Sequence, residues 1–200
     1  MKSENYFLPR NYIHQKEMIP WDDTTCHNEV YQREVYLLAA NLMRKNPQWN
    51  SVIDIGCGSG YKLMKYFHQY DTIGVDLPVA LTFLHKEYSG RDWREYNNYL
   101  WATCSPDILI CADVIEHIEE PDAFLINLQF FNTVKKFVIS TPDRVIVRGP
   151  YDHGPPANPA HYREWTLKEF QQYLSCFFKV EHISIVRPAH GTIVAVCTHY

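Results

Sequence analysis

From residue 51 onward, short apolar runs alternate with stretches whose apolar residues recur at helical spacing. Val52, Ile53 and Ile55 form a run of β-formers that suits a strand buried on both faces over 51–55. The pattern then predicts a helix over about 61–69, a strand at 72–76, a helix over about 78–87 and a strand at 92–96. Strands and helices in the order βαβαβ imply a parallel sheet with helices packed against it. The second half extends the series with a strand at Asp107–Cys111, a helix opened by Pro121 and a strand at Lys135–Ser140. Proline suits the first helical position, where no N–H is needed, and Phe124, Leu128 and Phe131 share one face of that helix.

The flanks read differently. The opening segment, with Tyr6, Phe7, Tyr12 and Trp21, has no period, whereas Tyr31, Val35, Leu38 and Leu42 predict a helix that Pro47 closes. Residues Thr141–Trp165 form a long proline-rich loop carrying His153, Asn158 and His161, and loops of that length in compact domains usually serve function. Thr166 and Glu169 make a capping box for a helix whose buried stripe is Leu167, Phe170, Leu174 and Phe177. Two β-rich stretches, Phe178–Val186 and Thr192–Cys197, follow without a helix between them and should pair antiparallel. The expected fold is α/β: a three-layer, Rossmann-like, seven-stranded sheet, mostly parallel with an antiparallel terminal strand. It is read as one domain over 1–200, with a cap and helix at 1–49, a core at 50–200 and a substrate loop at 141–165.

Composition narrows the function classes. Two hundred residues, 46% hydrophobic and 21% charged, can bury a core without metal or disulfide staples. A net charge of −4 disfavours a protein held mainly to nucleic-acid phosphates. Cys26, Cys57, Cys104, Cys111, Cys176 and Cys197 include no C-x-x-C pair and are read as free thiols in a reducing compartment. Met1–Arg10 lacks the apolar core of a signal peptide and no window approaches a membrane-spanning length, so a cytoplasmic location is expected.

The chemistry is concentrated where strand 51–55 ends. Asp54 leads directly into Gly56-Cys57-Gly58-Ser59-Gly60, a turn able to approach a ligand closely, and Asp76 closes the next strand about 20 residues after Gly56. A carboxylate at that place can accept both hydroxyls of a ribose lying across the strand ends. The dinucleotide fingerprint G-x-G-x-x-G is not met, since Tyr61 stands where its last glycine should be, and this weakens a nicotinamide reading.

The segments V-I-D-I-G-C-G-S-G, G-V-D-L and I-C-A-D-V-I-E-H-I-E-E-P resemble, in order, those of class I S-adenosylmethionine-dependent methyltransferases of the small, type 11/23-like branch. The resemblance implies S-adenosyl-L-methionine as cofactor. Gly56, Cys57 and Gly58 would wrap its methionine part, Asp54 would support it, Asp76 would hold the ribose and Leu77 would press on the adenine. Asn97 stands at the family's third acidic position, and Ala112, Asp113 and Val114 would line the sulfonium and carboxylate side. Tyr31, Gln32 and Tyr36 fall in the family's cap region, and Lys62, Lys65, Arg144 and Arg148 are read as surface cations or as attraction for a phosphorylated acceptor.

His161 is the candidate general base, histidine being matched to proton transfer near neutral pH, or else it orders the loop by hydrogen bonding. No metal is expected. The alternative comes from relatives that methylate the terminal ribose of small RNAs, by which Asp113, Glu116, His117 and His161 would ligate a divalent ion. The expected acceptor is oxygen, in preference to nitrogen, of a small molecule or saccharide. The H-x-R-E-W-x-x-x-E-F run is similar to that of methyltransferases encoded among polysaccharide genes. A nicotinamide-dependent oxidoreductase and a non-catalytic cofactor-binding subunit remain the other classes.

Overall fold

The computed structural model describes residues 4–19, 30–186 and 191–200; Trp21 and Cys26 lie outside the described residues. Its strands form one seven-stranded sheet in the order β3-β2-β1-β4-β5-β7-β6, the Rossmann-like arrangement expected from the alternating pattern. The described residues divide into two compact units. One draws on Asp22–Ala112 and Phe131–Val138, the other on Met1–Trp21, Asp113–Phe130 and Ile139–Tyr200.

In the first unit, helix α1 (Arg33–Lys45) precedes strand β1 (Ser51–Ile55), which is followed by α2 (Tyr61–Phe67), β2 (Asp71–Asp76), α3 (Pro78–Glu87), β3 (Asp92–Glu95) and β4 (Ile108–Ala112). β1 is flanked on both sides by parallel partners, with Ile53 opposite Ile73 on β2 and Leu109 on β4. This explains the unbroken apolar run, since Val52, Ile53 and Ile55 have helices or strands on every side and are buried. β2 continues in parallel to β3, where Gly74 pairs with Trp93. A Cβ at Gly74 would lie 2.2 Å from the Trp93 ring, so the missing side chain is the space the indole fills. Trp93 is therefore core, its Nε1 donating to the Tyr88 carbonyl. α1 begins at Arg33 because Gln32 is left-handed, at φ 63°, and it buries Val35, Tyr36, Ala39, Ala40 and Met43 on one face.

The second unit contains α4 (Pro121–Gln129), the C-terminal part of β5 (Lys136–Pro142), α5 (Arg144–Arg148), α6 (Leu167–Leu174), β6 (Lys179–Val186) and β7 (Thr192–Thr198). β6 and β7 pair antiparallel, as their direct succession requires, with an irregularity between Val180 and His182. The capping box at Thr166 and Glu169 is present. The expected loop 141–165 is not wholly irregular: the Asp143 carboxylate accepts from the N–H groups of Val145 and Ile146 and so starts the short helix α5.

The opening aromatic segment is fastened to that loop. Ile13, Gln15 and Ile19 donate their N–H groups to the carbonyls of His153, Tyr162 and Pro159, and Trp165 Nε1 donates to the Tyr6 carbonyl. Tyr12, buried beneath the Arg144 guanidinium, accepts from the Glu164 N–H at 2.9 Å. Cys57, Cys104, Cys111, Cys176 and Cys197 are free thiols. Among the described residues no helix is long and apolar enough to cross a membrane.

Candidate active site

In the first unit, the turn after β1 is held open by its own backbone. The N–H groups of Gly56 and Cys57 both donate to the Val75 carbonyl, and Gly58 N donates to Asp76 Oδ2 at 2.7 Å. Gly56, Gly58 and Gly60 have φ of 77°, 55° and 69°, a conformation that side chains resist. The turn thus offers a ligand a bare Cα surface more than free donors. Cys57 is buried, and burial pushes its thiol well up, which keeps it a neutral packing residue.

Asp76 is half-buried at the end of β2, its Oδ1 accepting from Leu77 N at 2.7 Å. A carboxylate oxygen can accept more than one hydrogen bond, so bracing the turn is compatible with accepting hydroxyls. Leu77 is 57% exposed beside it. Asn97 lies in the exposed loop after β3, where its Oδ1 accepts from Tyr99 N in a local turn. The Ala112 carbonyl accepts from Gln32 Nε2 at 3.1 Å.

Asp54 is fully buried. Tyr36 donates its hydroxyl to Oδ2 at 2.8 Å, while Oδ1 has no hydrogen-bond partner. Loss of hydration pushes its carboxyl up to about 7, against the opposing effects of the Tyr36 hydrogen bond and the Lys62 charge. A buried acceptor without a donor beside a glycine turn fits a cofactor that carries an ammonium group. Lys62 departs from the surface position expected of it; it is 7% exposed, its ammonium 5.8 Å from the Tyr36 ring centroid.

In the second unit, Asp113 is left-handed at φ 54°, and its Oδ1 accepts the Ser140 hydroxyl at 2.5 Å. Val114 follows, half-buried. Glu116, His117 and His161 bring one ligand atom each to within 4.8 Å of one another; the Asp113 carboxylate is not in this group. Glu116 is fully buried, and burial pushes its carboxyl well up. Its Oε2 accepts from Thr141 and its Oε1 has no partner.

The two imidazoles are oriented from behind. His117 Nδ1 lies 2.8 Å from the Ala160 carbonyl, which can only accept, so this nitrogen carries the proton and Nε2 the lone pair. Burial, reinforced by His161, holds His117 down to about 4 and therefore neutral. The Asn158 amide is fixed because its Oδ1 accepts from Ala160 N, so its Nδ2 donates to His161 Nε2 at 2.9 Å. His161 must then carry its proton on Nδ1, which donates to Glu164 Oε1 at 2.6 Å. Sequence reading singles out His161, places Tyr36 in the cap region without its contact to Asp54, and misses the roles of Glu164 and Tyr12 and the burial of Lys62. Of these only the three-residue spacing of His161 and Glu164 is a signal.

A parallel sheet whose first strand runs through an acid into a glycine turn, with a second acid closing the next strand, defines a nucleotide-type ligand site at the strand ends. The chain belongs to the methyltransferase-domain family, whose model matches residues 28–190, and S-adenosylmethionine is that family's methyl donor. No curated protein matches the chain. Among solved structures it is similar to the methyltransferase domain of bacterial CtHen1-C, at 21% identity over 86% of this chain and 99% of that one, with a TM-score of 0.65. It is similar also to the small RNA methyltransferase HEN1, at 22% identity over 84% of this chain and 26% of that one, with a TM-score of 0.57. A third is the Burkholderia thailandensis 1,6-didemethyltoxoflavin-N1-methyltransferase, at 20% identity over 82% and 77% of the two chains, with a TM-score of 0.54. These likenesses establish the fold; the family match excludes the nicotinamide-dependent class.

Proposed function

We propose that this methyltransferase acts on oxygen, on a hydroxyl of a sugar or ribose diol, and that Glu116, His117 and His161 hold a divalent cation for that acceptor. One observation carries the reading: three residues of ligating type converge within 4.8 Å. Their surroundings support it. The Nδ1 protons of both imidazoles are committed to Ala160 O and Glu164, the outer contacts that metal-bound histidines characteristically make, and Glu116 Oε1 is buried without a donor. The Asn158 amide on His161 Nε2 would have to move aside. A bound cation would lower the pKa of the acceptor hydroxyl as a Lewis acid. The donor needs only alignment, because methyl transfer from a sulfonium is an in-line displacement. The likeness to a protein named as a small RNA methyltransferase favours ribose among the diols.

A second reading rests on the 2.6 Å contact between His161 and Glu164. Glu164 fixes the tautomer that leaves His161 Nε2 able to take the acceptor's proton, with no cation involved. Release of S-adenosylhomocysteine separates the two on short RNA with an intact 3′ diol, on the same RNA after periodate oxidation, and on saccharides. Loss of turnover on chelation, restored by Mn²⁺, is the outcome expected of the first reading. Turnover that survives chelation but is abolished by His161→Ala would replace it with the second. Activity indifferent to both treatments would refute both.

A further inference from the structure

His117 and His161 stand on two separate segments, 116–119 and 160–163, and their rings meet edge to face with centroids 4.6 Å apart. Tyr162 N donates to the Glu116 carbonyl and His117 Nδ1 to the Ala160 carbonyl, both at 2.8 Å. Arg163 adds two charged bonds between the segments: Nη1 donates to the Ile118 carbonyl at 2.7 Å and Nη2 to the Glu119 carbonyl at 2.8 Å, directly after His117. At 4% exposure it is buried as arginine seldom is without a carboxylate, and these donors are spent on backbone. A planar fork holds two adjacent carbonyls in one geometry, whereas an ammonium is a point charge on a flexible stem.

The guanidinium is itself held from the opening segment. Its carbon lies 4.5 Å from the Tyr6 ring centroid and 5.7 Å from that of Tyr162. Asn5 donates its amide to the Leu8 and Pro9 carbonyls, so its Oδ1 accepts from His14 Nε2 at 2.8 Å, and His14 Nδ1 is left to accept from Arg163 Nε at 3.4 Å. Burial and the Arg163 charge hold the His14 imidazole below its ordinary pKa, which keeps that lone pair available. Asn5, Tyr6 and Phe7 are all left-handed, at φ 56°, 53° and 62°, a conformation that side chains resist and that surrounding contacts must impose.

We propose that Arg163 is a positioning residue for the acceptor centre: it fixes the backbone behind His117, and with it the placing of that ring against His161, while Tyr6 and His14 hold Arg163 in place. The proposal rests on Glu116, His117 and His161 serving the acceptor, whether through a cation or through His161 as base.

The test reads His117 directly, by long-range ¹⁵N spectra of histidine-labelled protein with no methyl donor, cation or acceptor added. In the unaltered protein His117 should show the Nδ1–H tautomer, with that proton protected from exchange. Arg163→Lys should speed its exchange by roughly 10- to 100-fold, the value of one hydrogen bond to a charged group, and leave the β7 amides as protected as before. Arg163→Ala should do the same, and methylguanidinium should restore the protection by entering the cavity of about 340 Å³ that Arg163 lines with Tyr6, His14 and Glu119. Exchange faster by the same factor at His117 and in β7, unchanged exchange at His117, no recovery with methylguanidinium, or loss of the fold in both variants would overturn the proposal. Because the spectra need no ligand, their result is separate from the turnover that decides how the centre acts.

Discussion

Asp54→Asn isolates the cost of keeping a carboxylate in the centre of the sheet. Burial raises its carboxyl from 3.8 to about 7, so the folded state binds this proton more tightly than the unfolded chain does. The stabilising contribution is therefore fully present below pH about 4 and is lost as pH rises through about 7. Between those values each step of one pH removes about 1.4 kcal/mol, the slope easing near pH 7, so the native protein should lose about 2 kcal/mol relative to the variant between pH 5 and 7. Asparagine does not titrate. It keeps the acceptor for Tyr36 but places an amide where Oδ1 had no partner, which costs about 1–3 kcal/mol at every pH. Urea unfolding of both proteins without cofactor should show the variant to be the less stable at pH 5, with the gap shifting by about 2–3 kcal/mol in the variant's favour by pH 8. A stability difference that stays constant within about 0.5 kcal/mol over that range would refute the reasoning.

Asp76→Ala removes both the expected ribose acceptor and the brace on Gly58, and should weaken S-adenosylhomocysteine by roughly 10- to 100-fold in a calorimetric titration. Tyr12→Phe leaves the buried Glu164 N–H without its acceptor, so thermal unfolding should report a loss of about 1–3 kcal/mol. Turnover should fall with it, since Glu164 holds the imidazole of His161. Saturating Mn²⁺ should raise the melting temperature of the unaltered protein and leave that of Glu116→Gln unchanged, as ligand linkage requires.

The places of Asp54, the glycine turn and Asp76 in the fold are legible in the sequence because their signal is local. Asp54, the glycine turn and Asp76 lie on consecutive parallel strands, and the pleat and the intervening helix fix where each must end. Tyr36 is not legible in that way: its hydrogen bond to Asp54 depends on how α1 docks, and the helical pattern gives the buried face without the partner of a hydroxyl on it. Composition alone places Lys62 in solvent, whereas its burial follows from facing Tyr36 in the first turn of α2. In Asp113-Val-Ile-Glu116-His117 the resemblance to ribose methyltransferases puts Asp113, Glu116 and His117 in one ligand set. The backbone instead passes through a left-handed Asp113 into a 3₁₀ turn at Ile115–His117, which sends Asp113 to Ser140 and Glu116 to Thr141. Helix α5 escapes a reading by periodicity because its start is a side-chain cap with no apolar period behind it.

The fastening of the opening segment also constrains the order in which this protein can be made. Tyr12 meets Glu164 across 152 residues, and Tyr6 meets Trp165 across 159. On a ribosome the first of these partners emerges early and must wait, through synthesis of strands β1 to β5, for the second. Contacts of such separation cannot form until the intervening chain exists, and they carry the largest loop-closure cost. The histidine that Glu164 orients is thus among the last groups to be set, so a chain stalled before residue 164 has its glycine turn complete while the Tyr12–Glu164 contact has yet to form.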